Sequence, residues 1–441
     1  MLILSFPLWI KKRFKKLSYA LLDNVIFIFL IYCLNNNIFF IGFFGKLFIL
    51  LSWSLYSYIN GRYSLIRKKF FNIILFNFNS MIVFFISLFI LDISLFEKKI
   101  FSENIIFLFI LLVVGLSISE YFIKRLFSES EQIYNNFLYI GNEKDYIYFK
   151  KEFFSNSSLL RGFFNYKDIK KNNYKIDDRF DGILIDDNFY VDISKINKFK
   201  LPIYFLRKWF ADNYEILPSF LLDDIQFENI KSKLKMRNIQ FRIKRIFDIF
   251  ISLILILITS PIILISSLLI FLEDRGSIFY SQERIGYLNK PFKITKLRTM
   301  YLDAEKDGAS WASCNDSRIT KVGNILRKTR IDELPQLLSV IKGDMSLIGP
   351  RPERDQFIKL LRQEIPYYDA RSLVKPGLSG WAQVKYSYGA STAHAANKLG
   401  YELFYLKNFS LLLDFIIFFK TIRLVCNLRG SKPMGILNSE F

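Results

Sequence analysis

Four apolar runs, at roughly 17–34, 38–59, 70–93 and 104–122, occupy the first third of the chain. Each is close to the ~20 residues that carry a helix across a hydrocarbon core of about 30 Å. A membrane protein with attached globular parts is therefore expected. No small-residue cleavage site follows the first run, and three more come after it, so it reads as an anchor and not as a cleaved signal. Basic residues precede run one (Lys11, Lys12, Arg13, Lys15, Lys16), separate runs two and three (Arg62, Arg67, Lys68, Lys69) and follow run four (Lys124, Arg125). The opposite loops hold only Lys98 and Lys99. The positive-inside rule then places the N-terminus, and everything after run four, in the cytoplasm.

The formal net charge of +21 would suit a nucleic-acid partner. Its basic residues gather instead at the ends of apolar runs, where anionic headgroups lie, so a lipid bilayer is the expected partner and nucleic acid is not. Cys33, Cys314 and Cys426 are far apart, which argues against a zinc ribbon, a redox pair or a disulfide framework. The single histidine, His394, lies among alanines with no nucleophile motif nearby. Chemistry is accordingly expected from carboxylates, lysines and arginines.

Residues 128–235 read as a cytoplasmic α/β domain, with strand-like runs at 137–140, 182–185 and 201–206. Its first strand leads into Gly141-Asn142-Glu143, where only one of the glycines that a dinucleotide-binding turn needs remains. A degenerate Rossmann-like domain without a nucleotide site is expected. A further apolar run, 246–272, is long enough to span, but Ser260-Pro261 interrupts it, and proline removes a backbone donor. Because the remaining chain carries motifs suited to a cytoplasmic nucleotide pool, a re-entrant helix-break-helix is expected, held at one end by Lys244 and Arg245. The competing reading is a kinked spanning helix.

Beyond Arg284, turns and charges crowd together. In Leu326-Arg327-Lys328-Thr329-Arg330-Ile331-Asp332-Glu333-Leu334-Pro335-Gln336, the leucines that follow recur at helical spacing until Lys342-Gly343, a plausible C-cap. Asp332 and Glu333 then stand at or just before a helix N-terminus, whose partial charge favours ionised carboxylates and phosphates. Such a pair permits Asp332 to attack a phosphoryl group while Glu333 holds Mg²⁺, with arginines offsetting the repulsion between anions. Arg327 and Arg330 are near in sequence, and prolines on both sides restrict the backbone of Arg351.

From Phe241 to about Gly430, ordered motifs make the resemblance plain: Lys244-Arg245-Ile246-Phe247-Asp248, Gln282-Glu283-Arg284-Ile285-Gly286, Lys296-Leu297-Arg298-Thr299-Met300, Asp332-Glu333-Leu334-Pro335-Gln336, Gly349-Pro350-Arg351-Pro352-Glu353 and Pro376-Gly377-Leu378-Ser379-Gly380-Trp381. The chain resembles the bacterial sugar transferases, or monotopic phosphoglycosyl transferases, in their long form with N-terminal transmembrane helices. The resemblance implies a multi-pass protein of the bacterial inner membrane, with four transmembrane helices in 1–127 and a cytoplasmic mixed α/β catalytic domain in 241–430. It implies transfer of a sugar 1-phosphate from a UDP-sugar to polyprenyl phosphate, with release of UMP, as the priming step of exopolysaccharide, capsule or O-antigen synthesis. Asp332 matches the nucleophile that forms a covalent phosphosugar-aspartate, Glu333 the magnesium ligand and Arg351 a phosphate-binding arginine. The expected substrate-binding set is Arg298, Arg318, Arg327, Arg330 and Arg351. Two departures stand out: Asp316-Ser317-Arg318 replaces Asp-Pro-Arg, and Glu402 replaces an aspartate, which puts its local hydrogen bonding in question. The run 411–419 with Asp414 reads as an amphipathic membrane-lying helix or a core helix.

A membrane-bound nucleotide-sugar dehydratase or epimerase is the competing enzyme, and it would need the missing glycines. A non-catalytic scaffold of a polysaccharide assembly complex is the other alternative. Which sugar is used and whether the protein is a homo-oligomer stay open.

Overall fold

The computed structural model describes residues 8–34, 43–63, 70–95, 105–127, 137–141, 147, 160–165, 180–187, 196, 200–302, 304, 316–386 and 391–427. Contacts divide the chain into two units, Met1–Ile133 and Tyr134–Glu440.

In the first unit the apolar runs form helices α1 (Leu8–Leu34), α2 (Phe43–Ile59), α3 (Phe70–Leu95) and α4 (Ile105–Phe127). Each packs on its sequence neighbour, and α1 also packs on α4. Phe27, Trp53, Met81, Leu112 and Leu116 form the core, with the Phe27 and Trp53 rings stacked 4.5 Å apart. Leu21, Phe29, Leu51, Phe71, Ile110 and Phe122 point outward, exposed.

Polar groups are inside. Arg62, which follows α2 through a turn that sets Gly61 at φ 76°, is 1% exposed and donates to Asp23 Oδ1 at 2.6 Å and to Glu120 Oε2 at 2.9 Å. Lys124 Nζ meets the other Glu120 oxygen at 2.5 Å, and Trp53 Nε1 donates to Asp23 at 3.2 Å. The sequence placed Arg62 and Lys124 among loop cations at the headgroups. They turn inward because Asp23 and Glu120, buried on α1 and α4, need compensating charge. Residues 64–69, with Arg67, Lys68 and Lys69, lie outside the described residues.

The second unit opens with a parallel sheet of order β2-β1-β3-β4, formed by Phe137–Gly141, Leu160–Asn165, Gly182–Ile185 and Ile203–Phe205 in chain order β1 to β4. Three of these strands match expected runs. β2 was not anticipated, since Leu160-Arg161-Gly162-Phe163-Phe164-Asn165 shows no alternation and contains a glycine. The turn after Gly141 lies outside the described residues. Helices α5 (Leu206–Asn213) and α6 (Asp224–Met236) follow. The α/β piece and the rest of the unit are joined by specific bonds: Trp381 Nε1 donates to the Glu215 carbonyl at 3.1 Å, and Tyr367 OH to Asp224 at 2.8 Å.

Helix α7 (Asn238–Asp274) is unbroken through Pro261, where an interruption was expected. Proline leaves the Leu257 carbonyl without its usual donor, and the Ser260 hydroxyl supplies one at 2.9 Å. Among the described residues α7 is the one helix long and apolar enough to cross a membrane. Its polarity is inverted relative to a soluble helix: Lys244, Asp248, Ser252 and Ser266 are buried, while Leu257 and Leu264 are 77% and 70% exposed. Both ends are tied down. At the start, Arg245 donates to the Val340 and Ile341 carbonyls, Lys244 pairs with Asp414 at 2.8 Å, and Asp248 accepts from Leu347 N at 3.1 Å. At the other end, Asp274 grips Arg298 and Glu273 accepts from Lys321 N at 2.9 Å.

The rest is mostly helical, where a mixed α/β domain was expected. The antiparallel hairpin β5 (Phe279–Ile285) and β6 (Pro291–Leu297) precedes α8 (Lys321–Thr329), a 3-10 turn (Ile331–Gln336) and α9 (Leu337–Lys342). Strand β7 (Ser346–Ile348) pairs in parallel with β8 (Gly377–Ser379) around α10 (Asp355–Glu364) and a second 3-10 turn (Tyr368–Leu373). Helices α11 (Trp381–Lys385), α12 (Thr392–Lys407) and α13 (Leu411–Cys426) complete the unit. On α13, Leu413, Asp414 and Ile417 are buried while Leu412, Phe415 and Phe419 are exposed, so it is amphipathic, with its one acid inward.

Candidate active site

Three local devices bring Asp332 and Glu333 to one place. Arg330, at φ 60°, ends α8 in the left-handed region and redirects the chain. Residues 331–336 then wind as a tight 3-10 turn containing Pro335 before α9 begins, and Gly343 at φ 102° closes α9 as the spacing predicted. The turn lies against β6, so the two carboxylates face the hairpin and are each 7% exposed.

Glu333 is saturated with cations. Arg351 donates to Oε1 at 2.5 Å and to Oε2 at 3.2 Å, and Arg330 and Lys296 reach Oε1 at 3.2 and 3.4 Å. These charges, led by Arg351, outweigh the cost of burial and hold its carboxyl well below the ordinary range. Asp332 is the opposite case. Its Oδ1 is buried and accepts no hydrogen bond. Burial, with the neighbouring Glu333 charge second, pushes its pKa up to about 6. Desolvation outweighs the favourable charges around Asp332, so the nucleophile candidate is less firmly ionised than Glu333 while still largely a carboxylate at pH 7.

Of the five expected arginines, Arg351 and Arg330 converge on Glu333. Arg327 Nε donates to Thr299 Oγ1 at 2.8 Å, and the half-buried guanidinium is within electrostatic range of Asp332. Gly323 permits this approach, because a Cβ there would lie 2.1 Å from the Thr299 carbonyl oxygen. Arg318 instead clasps Asp316 through Nε and Nη2 at 2.8 and 2.6 Å, so the turn that lost its proline is held by an ion pair. Arg298 is engaged elsewhere: both terminal nitrogens grip Asp274 at 2.5 Å and Nε donates to the Ser277 carbonyl, which secures the end of α7.

Lys296 was not anticipated. Two residues before Arg298, it meets Glu333, and burial lowers its pKa. Nothing local distinguishes the two basic residues; the distant Asp274 claims one and the carboxylates the other. Gln336 was also missed, although its Nε2 is buried and unpaired in the same turn as Asp332. Behind Arg351, Arg371 donates to the Arg351 carbonyl at 2.6 Å and pairs with both oxygens of Glu402 at 2.9 and 3.0 Å. The longer acid at position 402 therefore makes a full bidentate pair. His394 lies against the Tyr386 hydroxyl, apart from these groups.

Residues 239–428 match the family described as bacterial sugar transferase. An Aeromonas hydrophila protein named UDP-N-acetylgalactosamine-undecaprenyl-phosphate N-acetylgalactosaminephosphotransferase is 42% identical over 232 residues, 53% of this chain and 54% of that one. The chain thus spans about half the length of that relative. The exopolysaccharide production protein ExoY of Sinorhizobium fredii is 37% identical over 203 residues, 43% of this chain and 87% of its own. A UDP-glucose:undecaprenyl-phosphate glucose-1-phosphate transferase of Escherichia coli is 36% identical over 182 residues, 41% and 39% of the two chains.

Proposed function

The chain belongs to the bacterial sugar transferase family, and from that premise we propose that it moves a sugar 1-phosphate from a UDP-sugar to polyprenyl phosphate, releasing UMP, in the first step of exopolysaccharide assembly. The unpaired, buried Oδ1 of Asp332 carries this reading. It is a nucleophile with no internal partner to displace, next to a carboxylate whose cations can also meet phosphate oxygens. In the first half-reaction Asp332 attacks the phosphorus that bears the sugar and UMP departs. In the second, polyprenyl phosphate attacks the resulting acyl phosphate and restores the carboxylate.

Among the described residues no group of three or more acidic, histidine or cysteine side chains forms a metal site by itself. A single carboxylate completed by substrate phosphate and water suits Mg²⁺, and Glu333, whose Oε2 has only one long bond of 3.2 Å to Arg351, would hold it as its cations turn to the substrate phosphates. Mg²⁺ there would neutralise charge on the donor diphosphate. Lys296, Arg327, Arg330 and Arg351 orient that diphosphate, while Arg298 and Arg318 act as structural residues.

Helices α1–α4 are read as four membrane spans and α7 as a re-entrant helix, with everything after α4 cytoplasmic. Straight from Arg245 to Asp274, α7 would run about 44 Å. The groups that hold its two ends, the 340–341 carbonyls and Lys321 N, belong to one short stretch of the same domain, which supports an element that enters and returns on one side. The Rossmann-like domain at 128–235 and the catalytic domain at 241–430 then both face the cytoplasm.

The test is to incubate purified protein with Mg²⁺ and radiolabelled UDP-sugars, UDP-N-acetylgalactosamine first, without acceptor. Label is expected on wild type, absent from Asp332→Asn, blocked by EDTA and chased by polyprenyl phosphate. Product formed at full rate by Asp332→Asn would sink the covalent reading.

A further inference from the structure

Hairpin register places Arg284, Gln282 and Tyr280 on the same face as Lys296: Tyr280 lies opposite Lys296, Gln282 opposite Ile294 and Arg284 opposite Phe292. Arg284 Nη2 donates to Gln282 Oε1 at 2.8 Å along that face. Lys296 ends at Glu333, and Arg351 stands within electrostatic range of both Lys296 and Arg284. A row of cations therefore leads away from Asp332.

Within that row Arg284 is poorly satisfied. Its side chain is 17% exposed, its nearest carboxylate, Glu353, is 3.8 Å away, and its Nη1 makes only a long 3.4 Å bond to the Pro352 carbonyl. Glu353 is held closely by Lys398 instead. Arg284 Nε is buried and donates to nothing. A guanidinium offers five donors and gives none up by deprotonation, so a buried one left short of acceptors is a ready anion site. Burial and the nearby Arg351 and Arg354 charges even push its pKa down to about 10.

Charge balance points the same way. The ion pairs around the site bring together Arg284, Lys296, Arg330, Arg351, Arg371 and Lys398, against Glu333, Glu353 and Glu402. With Asp332 added, at least two positive charges remain uncompensated, which suits a diphosphate. The residue after Arg284, Ile285, lines a small open cleft with Gly286, Arg351, Glu353, Asp369 and Arg371.

Resting on the function proposed above, we infer that Arg284 contacts the substrate and binds the phosphate of the departing nucleotide through its guanidinium. As Asp332 Oδ1 bonds to the sugar-bearing phosphorus, the bond from that phosphorus to the bridging oxygen breaks. The electron pair leaves on that oxygen, and UMP departs without a proton transfer. Arg284 meets the charge that appears there. In the second half-reaction the phosphate of polyprenyl phosphate enters in line, opposite the Asp332–phosphorus bond, on the face that UMP vacated, so Arg284 meets that phosphate as well.

The experiment compares full-length wild type, Arg284→Gln and Arg284→Lys for binding of UMP and of uridine, which lacks the phosphate. It also measures loading of label and discharge of loaded label by polyprenyl phosphate. Arg284→Gln is expected to weaken UMP binding roughly tenfold to a hundredfold, leave uridine binding unchanged and slow both loading and discharge. Arg284→Lys, which keeps the charge, should fall between. Unchanged UMP affinity in Arg284→Gln, or a loss of uridine binding as large as that of UMP, would overturn the assignment. Failure of the underlying function would show differently, as no label on wild type with any donor.

Discussion

At the scale of single residues, the proposed nucleophile Asp332 is one that the fold leaves uncomfortable. A carboxyl at about 6 instead of 3.8 is destabilised when ionised, and removing that charge should help the fold. Because its folded pKa is raised, the penalty is complete above pH 6 and fades as pH falls towards 3.8. Asp332→Asn should therefore raise the melting temperature at pH 7–8, by up to about 3 kcal/mol of stability, and the gain should disappear near pH 4. An unchanged melting temperature at pH 8 would contradict it. Loading of wild type needs the ionised form, so its rate should fall about tenfold per pH unit below 6 and level off above. Glu402→Gln should cost about 3–5 kcal/mol in denaturant melts, because it leaves the buried Arg371 without its counter-charge and loosens the Arg351 backbone.

Helix α7 and its partners set what can be tested at the scale of elements. Cys426 is exposed at the end of α13, and α13 is pinned to the start of α7 by Asp414–Lys244. With Cys33 and Cys314 changed to serine, a membrane-impermeant maleimide should label Cys426 in inverted vesicles and spare it in intact cells. The reverse pattern would establish a spanning α7. The element itself was legible from its apolar run, but its continuity through Pro261 was not, because rescue depends on the rotamer of Ser260. The same division holds at the site. Asp332, Glu333, Arg330 and Arg351 were readable because local turns and flanking prolines bring them together. Lys296, Arg284 and the structural fate of Arg298 were not, since each is decided by a partner far along the chain: Glu333, Glu353 and Asp274.

For the whole molecule, two units divided by contact imply that damage in one need not reach the other. Arg62→Ala would strand Asp23 and leave Glu120 with Lys124 alone, and should destabilise the four-helix unit by about 3–5 kcal/mol. It should lower the yield of folded protein in detergent, yet leave the loading rate per folded molecule at its wild-type value. A proportional loss of loading rate would mean that the units communicate. The arrangement of those buried charges also bears on how such a chain is made. Asp23 and Arg62 arrive with the first helical hairpin, and Glu120 and Lys124 with the last helix. Each half thus neutralises its own charges before the halves meet, which would let the four spans proposed above enter lipid one after the other without net charge inside. The 2.9 Å contact between Arg62 and Glu120 then becomes the clasp that joins an early product of translation to a later one.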